Sequence, residues 1–189
     1  TLWGTEVAWG DGVVVSIQDL NGLLPQKYPD HGMWEQLLVS LGVSPDDTRK
    51  YLGEWSDMQD PDIRSWVFGD AEPLKVRNGG YYLNGYAQND SPMRWLFSDR
   101  PQMLGKLFEF SSLNAPIKTN IYNAPVGLLE QLFDSEVART IVEARAKGNN
   151  GRVMLEGLLP RLYSERDYLI RYDSSVIKVR VSAKVGKAA

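Results

Sequence analysis

Val176-Ile177-Lys178-Val179-Arg180-Val181-Ser182 alternates apolar with polar or charged residues. Ile177, Val179 and Val181 fall on one side, and Lys178, Arg180 and Ser182 on the other, the period-two signature of a half-buried antiparallel strand. Its counterpart lies at the far end of the chain. Val13-Val14-Val15-Ser16-Ile17 is short, apolar and β-branched, and Asp11-Gly12 before it reads as a hairpin turn after a strand over Leu2 to Trp9. Tyr168-Leu169-Ile170-Arg171-Tyr172 reads as a further strand, joined to the 176–182 run through Asp173-Ser174-Ser175. Both ends of the chain are therefore predicted to be β.

The middle carries helix punctuation. Met33 to Leu41 places apolar residues at 33, 34, 37, 38 and 41, which is helical spacing. Ser44-Pro45-Asp46-Asp47 supplies an N-cap, a first-turn Pro and first-turn acids, with Gly53 near the expected stop. Further helices are predicted from Asp99-Arg100-Pro101, from Asn123-Ala124-Pro125, from Ser135-Glu136 to Gly148, and around Leu155 to Leu162. No repeat recurs at a period of 20–50 residues, and no Pro/Ser-rich linker separates the parts. The expected architecture is α+β: an antiparallel sheet from both termini (1–22 and 164–189), and an α-helical domain inserted between its strands (23–163).

Composition narrows the function. The chain has 189 residues, room for one domain or two small ones, and its 43% hydrophobic and 24% charged content is that of a globular protein. Disordered, collagenous and low-complexity classes are excluded. A net charge of −3 is a poor match to a phosphate backbone. The lack of Cys removes disulfides, iron–sulfur clusters, thiolate chemistry and Cys-type zinc sites. No apolar run reaches the ~20 residues that span a bilayer.

Catalytic signatures are sparse. His31 is the only His, in the loop-like Pro29-Asp30-His31-Gly32, and a Ser-His-Asp triad would depend on it alone. No nucleophile elbow, Walker loop, dinucleotide fingerprint or His-Glu-x-x-His occurs. A hydrolase using paired carboxylates is retained as a third reading only because such spacing belongs to the fold. The acid-rich segment is a stronger signal. Glu54-Trp55-Ser56-Asp57-Met58-Gln59-Asp60-Pro61-Asp62 is followed by Gly69-Asp70-Ala71-Glu72, closely spaced acids with Pro and Gly between them. Calcium takes six to eight oxygen ligands from a loop that bends around it, so Asp57, Asp60, Asp62, Asp70 and Glu72 are candidate ligands. The EF-hand spacing is absent, and a solvated acidic loop with Asp side chains capping turns is the alternative.

Residues 119–148 resemble a helix-hairpin-helix unit. Nucleic-acid-binding versions place a Gly-rich hairpin against phosphate. Here the hairpin is Phe133-Asp134-Ser135-Glu136, with two acids and no Gly, so packing is favoured over binding. If it did bind nucleic acid, Arg139, Arg145, Lys147 and Arg152 would be the contacts. Gly148-Asn149-Asn150-Gly151-Arg152 reads as a turn, and Gly79 to Tyr86 is dense in Tyr, suited to a core or a binding face.

The order of these features resembles that of the minor pseudopilin K family of type II secretion systems. Ser16-Ile17-Gln18-Asp19-Leu20-Asn21-Gly22 occupies the place of the family's "asp-leu-asn" phrase after its first strand. Trp55-Ser56-Asp57 and Asp60-Pro61-Asp62 match its acidic stretch, and Gly69-Asp70-Ala71-Glu72 and Tyr81-Tyr82-Leu83 follow in order. The most specific match is Thr119-Asn120-Ile121-Tyr122-Asn123-Ala124-Pro125 running into Val126-Gly127-Leu128-Leu129, similar to the family's "Ile-Asn-Val-Asn-Thr-Ala-Pro" and its Leu-rich helix. The likeness covers roughly Val7 to Val185, as a divergent member.

The resemblance implies a pilin-like sheet and a non-enzymatic function. Such a protein caps the tip of the pseudopilus in complex with minor pseudopilins I and J and assists its assembly for protein export, with secreted protein substrates as further candidate partners. Structural Ca²⁺ would bind in the inserted helical domain. The family's N-terminal hydrophobic helix, absent from these residues, would anchor the protein in the bacterial inner membrane with this portion in the periplasm, and no nucleic acid would be bound.

Overall fold

The structure, a computed structural model, describes residues 3–27, 29, 31–59, 87–162 and 176–183, with the backbone alone over 158–162. The chain is α+β and divides into two compact units, one made of 1–23 with 118–189 and the other of 24–117. The expected strand over 168–172 and the tyrosine-rich 79–86 lie outside the described residues.

Among the described residues the first unit holds a three-stranded antiparallel sheet. Strands β1 (Trp3–Ala8), β2 (Val13–Asp19) and β5 (Ile177–Ala183) lie in the order β1-β2-β5, so the central strand pairs with strands from both ends of the chain. The hairpin turn between β1 and β2 needs left-handed backbone at Gly10 and Gly12, where φ is 75° and 76°, conformations open to Gly without steric cost. Val15 opposes Val7 on one side and Val181 on the other, and Ile17 opposes Val179. One sheet face is accordingly apolar, while Ser16, Gln18, Lys178 and Arg180 share the other. Val181 on the apolar face is 63% exposed, and Trp9 at the hairpin tip is 72% exposed.

Among the described residues this unit also holds the helices α5 (Val126–Leu132), α6 (Ser135–Ala146) and α7 (Asn149–Leu162). Leu128, Leu129, Ile141, Ala144 and Leu155 are fully buried among them, with Ile121. The expected turn over 148–152 is confined to its start. Gly148, at φ +57°, ends the connection, and Arg152 N already donates to Gly148 O in helical register. The helix can begin this early because Gly151 lies directly on the Ala144 carbonyl, a position that any Cβ would overlap.

Among the described residues the second unit is mainly helical. It contains α1 (His31–Ser40), α2 (Pro45–Gln59), α3 (Ser91–Leu96) and α4 (Pro101–Phe110). A two-residue parallel pairing of β3 (Leu24–Pro25) with β4 (Ser111–Ser112) brings its two ends together, reinforced by Gln26 Nε2 donating to Ser111 Oγ at 2.8 Å. Its core centres on Trp34 and Trp55, packed edge to face with ring centroids 4.7 Å apart, and Trp34 Nε1 donates to Pro25 O. Helix α2 runs past Gly53 to Gln59, beyond the expected stop. Leu52, Trp55 and Met58 continue the buried stripe, and their packing outweighs the low helix propensity of one Gly.

Candidate functional site

The phrases 16–22 and 119–129, far apart in sequence, meet at the end of the sheet. Asp19 is 1% exposed, and its carboxylate caps the short 3-10 turn Leu20–Gly22 by accepting Asn21 N at Oδ1 (2.9 Å). Its Oδ2 accepts Asn123 Nδ2 at 2.6 Å. Beside it Gln18 Nε2 donates to Asn123 O at 3.0 Å, Asn120 N to Asn21 O at 2.6 Å, and Thr119 Oγ1 to Leu23 O at 3.1 Å. Asn120 Oδ1 accepts Tyr122 N, which folds the intervening chain into a tight turn. Gly22 is required here because a Cβ would overlap the Asn123 carbonyl.

All these polar side chains are buried, and burial of an amide or carboxylate is expensive unless its bonds are made. Bonds to a charged acceptor contribute about 1.5–3 kcal/mol each, so the pairing of the two phrases fixes the end of β2 against the start of α5. Arg145, on α6, closes the same knot. Only 6% exposed, its Nη2 donates to Ile121 O at 2.7 Å and to Ala124 O at 2.6 Å, and its guanidinium lies 5.3 Å from the centroid of the Trp3 ring. Burial pushes its pKa down to about 10, with the nearby Tyr122 acting weakly the other way.

That burial bears on the nucleic-acid reading. Arg145, expected as a phosphate contact, is buried, and its Nη2 donates to two internal carbonyls. Arg139 faces Glu143 at 3.4 Å, and Arg152 lies 5.3 Å from the centroid of the Tyr122 ring. At the hairpin Asp134 caps α6 by accepting Val137 N at 2.9 Å, with Glu136 in the first turn. A carboxylate thus holds the backbone amide that a phosphate oxygen would seek.

Of the candidate calcium ligands, only Asp57 lies among the described residues; Asp60, Asp62, Asp70 and Glu72 lie outside them. Asp57 is in the last turns of α2 rather than in a loop, and it is fully buried. A buried carboxylate is a hard oxygen donor of the kind calcium takes, set where the helix runs into the acidic segment. Among the described residues, no group of three or more His, Asp or Glu side chains is placed to hold a metal.

His31 sits at the start of α1, with Nε2 3.0 Å from Ser56 Oγ. The Ser56 hydroxyl also bonds Leu52 O at 3.0 Å, and a carbonyl can only accept. The hydroxyl proton therefore points at the helix backbone and the imidazole donates, the reverse of the direction a nucleophilic serine needs. Sequence reasoning did not single out Gln18, Thr119, Asn120 or Asn123 for roles of their own. The signal available was the resemblance, which rests on the phrases that contain them.

No protein-family model matches the chain. No curated protein matches it significantly in sequence.

Proposed function

We propose that this chain is the periplasmic part of a minor pseudopilin of the K family, a non-enzymatic protein that closes the tip of a type II secretion pseudopilus together with minor pseudopilins I and J. The observation that carries the reading is the bonding of Asp19 to Asn123. It joins the two phrases on which the resemblance rests, so the residues of those phrases have a shared physical reason to occur together. The α+β organisation, with a central strand paired to strands from both termini, supports it further. In this reading a helical domain is inserted between the strands of a pilin-like sheet, Ca²⁺ is held by the acidic segment that begins at Asp57, and a hydrophobic helix ahead of β1 anchors the protein in the inner membrane. The exposed apolar sheet face, with Val7, Val179 and Val181, is a suitable surface for that helix.

Deleting the gene in its source organism tests the proposal. Substrates of the type II system are expected to accumulate in the periplasm and to be exported again when the full-length gene is restored. Undiminished export in the deletion strain would contradict it.

A further inference from the structure

A cleft of about 320 Å³ opens in the helical unit, between α2 and the segment that links α3 to α4. Asp47, Lys50, Tyr51 and Glu54, spaced along one face of α2, form one wall. Its polar groups are locked to one another. Tyr51 OH donates to Asp99 Oδ2 at 2.6 Å, Arg100 Nε donates to Tyr51 OH at 3.2 Å, and Arg100 Nη2 donates to Asp47 Oδ2 at 3.0 Å. The Tyr51 proton is held more tightly than usual, through burial and the Asp99 bond. The Tyr51 ring packs on Phe97 at 4.8 Å, so the wall is anchored in the core.

The lining decides what such a cleft accepts. An anion would meet Asp47, Glu54 and Asp99; a cation would meet Lys50 and Arg100. A neutral ligand is repelled by neither. The internal bonds use one oxygen of each Asp carboxylate, so acceptor capacity remains on the other, and Lys50 and Ser98 supply donors. Hydroxyl groups both donate and accept, and they suit a lining in which the two kinds alternate. Trp95, half-buried in the lining, adds aromatic surface for the apolar side of a sugar ring. The volume falls at the lower end of ligand pockets, and a wall fixed before binding lowers the ordering cost.

We propose that this cleft is a binding site for a neutral saccharide of one or two rings. The inference stands independently of the secretion reading. The test is saturation-transfer NMR and calorimetry of the full chain with N-acetylglucosamine and cellobiose, with arginine and glutamate as charged comparators. The expected result is saturable binding of a neutral sugar in the millimolar range. It should weaken at least tenfold in Trp95→Ala and severalfold in Lys50→Ala, whose side chain is 56% exposed and whose ion pair with Glu54 is long, at 4.0 Å. Three results would each overturn it: no saturable sugar binding at tens of millimolar, sugar binding indifferent to Lys50→Ala, or binding of arginine or glutamate in preference to either sugar. If Trp95→Ala fails to fold, Lys50→Ala carries the test.

Discussion

Asp19 and Asn123 are separated by 104 positions and joined by a 2.6 Å hydrogen bond from amide to buried carboxylate. Removing either partner leaves the other buried and short of a bond, which costs about 2–4 kcal/mol. Asp19→Ala and Asn123→Ala are each expected to destabilise by this amount, and the double variant by well under the sum. A coupling energy above ~1 kcal/mol in a denaturant double-mutant cycle is the expected reading. Additive losses would mean that the phrases are merely neighbours.

Two glycines are irreplaceable for a reason of space. A Cβ at Gly22 would overlap the Asn123 carbonyl, and one at Gly151 the Ala144 carbonyl. The obstructing atoms are backbone, which cannot rotate aside, so overpacking should cost ~3 kcal/mol or more. Gly22→Ala and Gly151→Ala should therefore lower the melting temperature strongly. Gly105→Ala, where a Cβ meets open space in α4, should leave it unchanged or slightly raised.

Arg145 makes a prediction in pH. Its folded-state pKa of about 10 lies below the ordinary value of an arginine because burial disfavours the charge. Below pH 10 both folded and unfolded chains carry the proton, and its contribution does not vary. Between the two values the unfolded chain binds a proton that the folded chain has released, so stability rises with pH relative to a variant that lacks the group. Arg145→Met should destabilise by about 1–3 kcal/mol at neutral pH, by stripping donors from Ile121 O and Ala124 O. The gap between wild type and variant in chemical denaturation should widen as the pH passes 10.

Calcium is testable without partners. Thermal melts in excess chelator and in millimolar Ca²⁺, with Mg²⁺ as control, should differ. Binding to the folded state alone adds about 2.7 kcal/mol at a hundredfold excess over Kd, a shift of several degrees for a chain of this size. Asp57→Asn should shrink the shift. Identical melts would remove the calcium site from the proposal.

Much of the fold was legible because its signals are local. The alternation in 176–182 and the run at 13–17 predicted β5 and β2, and Pro101 and Ser135 marked true helix starts. The α2 stop was misplaced at Gly53 because the Trp34–Trp55 contact that sustains the helix is tertiary. Helix α3 and the β3–β4 pairing went unseen because six and two residues carry too little periodicity to read. The phrases at 16–22 and 119–125 were visible as words. Their hydrogen bonds were not, since nothing in either segment states which distant carbonyl or carboxylate it will face. The burial of Arg145 was hidden for the same reason: on α6 alone it reads as one more surface base.

The most direct test of the pseudopilin reading is assembly. The chain is mixed with the periplasmic portions of minor pseudopilins I and J from its source organism and sized by light scattering after gel filtration. The account predicts a heterotrimer with one copy of each protein. Elution of this chain as a lone monomer beside a separate complex of the other two would contradict it.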